Sequence, residues 1–117
     1  MDETSEKPAQ PNLAAALDRL WARFLPEIRE RVAVVDAAVQ ALAAGSLGAV
    51  QKDAAASAAH KLAGVLGTFG LARGTALARE LELKLARESS SGRNADVKLV
   101  ETAAELRAMI ESRKPSA

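Results

Sequence analysis

His60 is the only histidine of the chain, and it stands in the stretch AAHKLAGVLGTFGLARG, with glycines at 64, 67, 70 and 74. An imidazole can serve as base, metal ligand or nucleophile near neutral pH. Each use makes its own demand on the surroundings. A catalytic triad needs a nucleophile, a base and an orienting group that converge, and one histidine in a chain without cysteine offers little of this. A metal site in a helical bundle needs inward-pointing Glu-x-x-His pairs, and this histidine is single. Acid–base hydrolysis needs a pocket, which a small amphipathic bundle does not obviously provide. Attack on a phosphoryl group asks for less: an accessible imidazole, room for three oxygens, and a partner that supplies phosphate, metal and alignment.

The surroundings of His60 supply that room. A helix advances about 100° per residue, which places Ala58, Leu62, Val65 and Phe69 on one side and His60 about 170° from their centre, toward water. Its outer-face neighbours are Asp53, Ala56, Ser57, Ala63, Gly64 and Gly67, small except for Asp53. Solvent faces of helices ordinarily carry long polar side chains. Each interior glycine costs roughly 0.5–1 kcal/mol against alanine, so Gly64 and Gly67 are better explained as clearance for something large that approaches the imidazole. Gly67 could alternatively let a neighbouring helix pack closely, and Gly70 is an ordinary helix stop.

The elements that must position His60 read as helices. Alanine and leucine dominate, and aromatic residues make up 3% of the chain. Asn12 can cap a first short helix carrying Leu13, Leu17, Leu20, Trp21 and Phe24. Pro26 is expected to break it and to open a second helix with Leu25, Ile28, Val32, Val35, Val39 and Leu42 at steps of three and four. Ser46 can cap the third helix, about residues 47–68, whose apolar positions are Leu47, Val50, Ala54, Ala58, Leu62, Val65 and Phe69. The fourth, about residues 71–87, places Leu71, Gly74, Ala78, Leu81 and Leu85 on one face and leaves Leu83 opposite. A fifth, capped by Ser91 or Asn94, carries Leu99, Ala103, Leu106 and Ile110. The expectation is an all-α protein: an antiparallel four-helix bundle with an additional short N-terminal helix. Residues 1–11 are expected to be a disordered tail, 12–113 the bundle and 114–117 a frayed end.

Composition excludes several other classes. The 16 basic and 15 acidic residues balance to +1, with no basic stripe interleaved with aromatics, so no nucleic-acid partner is expected. No run of about 18 apolar residues is present, and the polar start MDETSEKPAQPN lacks the apolar segment of a signal peptide. The expectation is a cytoplasmic protein without a membrane partner, and a monomer, since the pattern closes a bundle within one chain.

The stretch HKLAGVLGTFGL resembles the signature of histidine phosphotransfer domains, the HPt domains of multistep two-component phosphorelays. That signature is a histidine, any residue, an apolar residue, often a lysine, a glycine, and a further glycine six residues on. His60, Leu62, Gly64 and Gly70 match it. ARELE at 78–82 also resembles the family's next helix, and with the helix pattern the resemblance covers about residues 12–113. It implies a non-catalytic phosphotransfer protein, without kinase activity of its own, that accepts a phosphoryl group on His60 from a receiver-domain aspartate and passes it to another. Gly64 would keep space beside the phosphohistidine. The chain would bind no cofactor or metal itself, and the Mg2+ would belong to the partner receiver. Partners would be response-regulator receiver domains and a hybrid histidine kinase. The docking surface would centre on His60, with Ala56, Ala59, Ala63, Gly64 and Gly67 as an apolar middle and Lys52, Asp53, Ser57, Lys61 and Arg73 as a polar rim. The chain departs from the family at Ala63, where lysine is frequent. Whether Lys61, about 100° around the helix, takes its place stays open.

Two other readings compete. The dimerisation helices of histidine kinases carry His-Glu-x-x-x-Pro, whereas His60 is followed by Lys61-Leu62-Ala63-Gly64 and no proline. A helical interaction module of a signalling system without phosphotransfer would account for the missing lysine.

Overall fold

The alanine- and leucine-rich segments form four helices in a computed structural model that describes residues 9–87 and 93–114. They are α1 (Ala9–Ala43), α2 (Ala49–Thr68), α3 (Ala72–Ala86) and α4 (Arg93–Glu111). No strand occurs among the described residues. Each helix packs on the next, and α4 returns to α1, which closes a four-helix ring. The short connections make sequence neighbours antiparallel.

The break expected at Pro26 does not occur. α1 runs through it, and the short N-terminal helix and the second helix are one element. An interior proline removes a helical hydrogen bond at a cost of about 3 kcal/mol. Packing offsets that cost, because the apolar stripe keeps its phase across the proline. Trp21, Ile28, Val32, Val35 and Val39 are buried, and Leu17, Leu25 and Leu42 pack on the same core. Leu20 and Phe24 lie off that stripe and stay exposed. Ala9 already belongs to the helix, so the segment expected to be a tail is helical from residue 9. Residues 1–8 and 115–117 and the candidate cap Ser91 lie outside the described residues. α4 begins at Arg93, so Asn94 sits inside it.

Two turns set the bundle's register. α1 ends at Ala43 and is capped at Gly45, with φ +75°, where the Ser46 N–H donates to the Ala41 carbonyl at 2.8 Å. Ser46 therefore closes α1, and Gly48 takes the N-cap position of α2. α2 ends at Thr68 and is capped the same way at Gly70, with φ +72°, where the Leu71 N–H donates to the Leu66 carbonyl at 3.0 Å. Both are left-handed caps that glycine adopts without steric cost.

The buried face of α2 is broader than a single stripe and turned toward α3. Ala55, Ala58, Ala59, Leu62, Ala63 and Leu66 are buried. Val65 is half-buried, and Val50 and Ala54 are exposed. The reason is that α2 is clasped between α1 and α3, and small side chains at 59 and 63 let α3 come close. There the Thr75 hydroxyl donates to the Ala63 carbonyl at 3.3 Å. On α3, Gly74, Leu77, Ala78, Leu81 and Leu85 are buried, and on α4 so are Leu99, Ala103, Leu106 and Ile110. Phe69 stacks edge-on against Trp21, with ring centroids 5.1 Å apart, and closes one end of the core.

Candidate functional site

His60 projects from the middle of α2 with 73% of its side chain exposed. Its Nδ1 lies 2.9 Å from Glu82 Oε2 on α3. An ionised carboxylate only accepts hydrogen bonds, so Nδ1 carries the proton and donates it. In the neutral ring the lone pair then lies on the other nitrogen, Nε2, which is turned away from Glu82. The contact fixes both the tautomer and the ring's orientation.

The hairpin geometry explains why these two residues meet. α2 and α3 run antiparallel on either side of the Gly70 turn. Gly67 sits opposite Thr75, with 3.6 Å between the Thr75 hydroxyl and the place a Cβ would occupy. The pairs Gly67–Thr75 and His60–Glu82 are both centred on Leu71, so one register delivers both. Glu82 is a functional candidate that the residue pattern of α2 alone does not reveal. The signal was present in the Gly70 stop and in the carboxylate of ARELE.

Around the imidazole lies a shallow hollow lined by His60, Ala63, Gly64, Arg79, Glu82 and Leu83. Leu83, 62% exposed and off the core stripe of α3, has its place on this rim. Gly64 is exposed, and an added Cβ there would meet nothing within 4 Å. No packing demand therefore explains Gly64. Gly67 is also exposed, and a methyl group there would make only ordinary contact with Thr75.

The remaining candidates divide. Asp53 and Ser57 are exposed on the histidine's side of α2, and Ala56 is half-buried. Ala59 and Ala63 do not form an exposed apolar middle: they are 0% and 5% exposed because α3 covers them. Lys61 is exposed but lines a different hollow, against Glu27 and Glu30 of α1. Lys52 is half-buried. Arg73 leaves the site altogether. It is about 180° around α3 from Glu82, and its guanidinium holds Glu105 of α4 at 2.9 and 3.0 Å. Among the described residues no group of three or more His, Cys, Asp or Glu side chains could hold a metal ion, and no helix is long and apolar enough to cross a membrane.

The family model for the Hpt domain matches residues 19–114. Protein RcaC of Microchaete diplosiphon is 35% identical over 74 residues, which are 63% of this chain and 11% of that protein. The chain thus spans a small part of that relative's length. No solved structure matches the chain at a significant level. With the matched span covering nearly the whole bundle and the exposed histidine within it, the chain belongs to the Hpt family, the histidine-phosphotransfer domains of phosphorelays.

Proposed function

We propose that His60 carries the phosphoryl group, taking it through Nε2 from an aspartyl phosphate on a receiver domain and returning it to the aspartate of another. The observation that carries this reading is the 2.9 Å contact of Nδ1 with Glu82 on an otherwise exposed ring. The carboxylate keeps Nδ1 protonated and Nε2 nucleophilic, and it offsets the positive charge the ring gains when Nε2 bonds to phosphorus. Phosphoryl transfer depends on positioning and charge neutralisation. The chain's share is the oriented imidazole and the clearance beside it at Gly64 and Gly67. The receiver would contribute the aspartate and the Mg2+, and no kinase chemistry falls to this chain. The docking face would be the exposed strip of Asp53, Ser57, Gly64 and Gly67 around His60, narrower than a surface that includes Ala59, Ala63 and Arg73. Transient signalling contacts of this kind are small.

The test is transfer from phosphorylated receiver domains in Mg2+ buffer to the wild-type chain and to His60→Gln. The expected result is an acid-labile, base-stable label on the wild type and none on the variant. If receivers dock but leave no label on the wild type, the chain is an interaction module without phosphotransfer.

A further inference from the structure

We propose that Arg79 is the group that grips the phosphoryl oxygens when His60 carries them, a role that rests on the phosphotransfer reading above. Arg79 is the cation that lines the hollow with His60. Besides His60, the α2 wall contributes Ala63 and Gly64 there, and neither brings charge. The arginines at 29, 31, 73, 107 and 113 each hold a carboxylate. Arg79 is exposed and forms no hydrogen bond or ion pair among the described residues. Its guanidinium is therefore available to a ligand without breaking an existing contact.

Placement supports the role. Arg79 and Ala63 are centred on Leu71, like His60 and Glu82, so Arg79 faces α2 one turn beyond the imidazole. Arg79 and Glu82 are three residues apart on α3 and share a face. Glu82 occupies the Nδ1 edge of the ring, which leaves Arg79 to serve a group bound at Nε2. In the transfer step the Nε2 lone pair forms the N–P bond as the P–O bond to the receiver aspartate breaks. The receiver's carboxylate departs with that electron pair. The Nδ1 proton stays on the ring, hydrogen-bonded to Glu82. The site then holds an anionic phosphoryl group near the Glu82 carboxylate, and Arg79 offsets both. A guanidinium meets two phosphoryl oxygens through a planar, fixed fork of N–H donors, a geometry that an ammonium lacks.

The test uses phosphoramidate, a small donor that needs no docking. The full chain, Arg79→Ala and Arg79→Lys are phosphorylated side by side, followed by 31P NMR, with thermal melts as the control for folding. The wild type is expected to gain one phosphate on His60. Arg79→Ala is expected to gain it about ten-fold more slowly, as for loss of one exposed charge-assisted hydrogen bond. Its phosphohistidine resonance should move, Arg79→Lys should recover part of the rate, and all three should melt alike. A rate within about two-fold of wild type and an unmoved resonance for Arg79→Ala would overturn the proposal. So would a wild-type rate with phosphoramidate beside a slowed transfer from a phosphorylated receiver domain, run in parallel, which would make Arg79 a docking residue. A wild type that takes no phosphate on His60 is a separate outcome and sinks the phosphotransfer reading itself.

Discussion

Replacing Gly64 is expected to stabilise the fold and slow the chemistry together, a combination that a packing role does not produce. Gly64 lies within α2, exposed, with nothing within 4 Å of an added Cβ. Gly64→Ala therefore gains helix propensity without a clash, roughly 0.5–1 kcal/mol. For a domain of about this size that is a rise of roughly 2–6 °C in Tm. Side chains on a helix lean toward its N-terminus, so a residue at 64 leans back over the turn that carries His60. Gly64→Gln keeps most of the stability gain and reaches into the hollow beside the imidazole. Transfer from a phosphorylated receiver should fall by about ten- to a hundred-fold, the scale for displacing reacting groups by an ångström. Gly74 sets the contrast. A Cβ there would meet Leu66 Cδ1 at 3.2 Å and Met109 Sδ at 3.3 Å, and overpacking of this kind costs typically about 1–3 kcal/mol. Gly74→Ala should lower Tm, with transfer intact wherever the protein is folded. Circular dichroism melts and single-turnover transfer measure both halves. A Gly64→Ala protein that melts lower than wild type, or a Gly64→Gln protein that transfers at the wild-type rate, refutes the clearance argument.

Three further outcomes are expected. Glu82→Ala should slow transfer by about ten-fold with little change in Tm, since an exposed pair adds little stability; Glu82→Gln, whose amide oxygen can still accept from Nδ1–H, should retain more activity, and 15N NMR of the ring should show tautomer mixing only in the alanine variant. Pro26→Ala should stabilise the protein by about 2 kcal/mol, the proline penalty less the entropy gained by the unfolded chain, read by urea denaturation. The third concerns pH. The hydrogen bond from Arg29 holds the Glu111 carboxyl below its ordinary value of 4.5. A carboxyl with a depressed folded value contributes stability above its unfolded value and loses it as pH falls through the folded one. A double-mutant cycle on Arg29 and Glu111 should show coupling at pH 7 that vanishes in acid, and coupling that persists in strong acid would contradict the assignment.

How far residue pattern reached depended on what each position must satisfy. The α4 stripe of Leu99, Ala103, Leu106 and Ile110 was legible because large apolar residues at steps of three and four have one energetically acceptable face. The outward aim of His60 was legible for the same reason, being about 170° from the centre of Ala58, Leu62, Val65 and Phe69. Ala59 and Ala63 were not, because alanine suits water and core alike, and only the approach of α3 decides. Pro26 misled because its local cost is outweighed by burial of Trp21 and Ile28 on either side, a tertiary effect. Glu82 stayed hidden because its role exists only in the hairpin register, which depends on where the Gly70 turn reverses the chain. Arg73 looked available by charge alone, yet helix phase sends it to Glu105.

In the proposed transfer His60 accepts phosphate at Nε2 while Nδ1 keeps its proton, hydrogen-bonded to Glu82. NMR of the 15N-histidine-labelled chain, phosphorylated by a receiver domain in Mg2+ buffer, tests it most directly. One 15N–31P coupling is expected, assigned to Nε2, with a protonated Nδ1. A phosphoryl group on Nδ1, or none on His60, would contradict it.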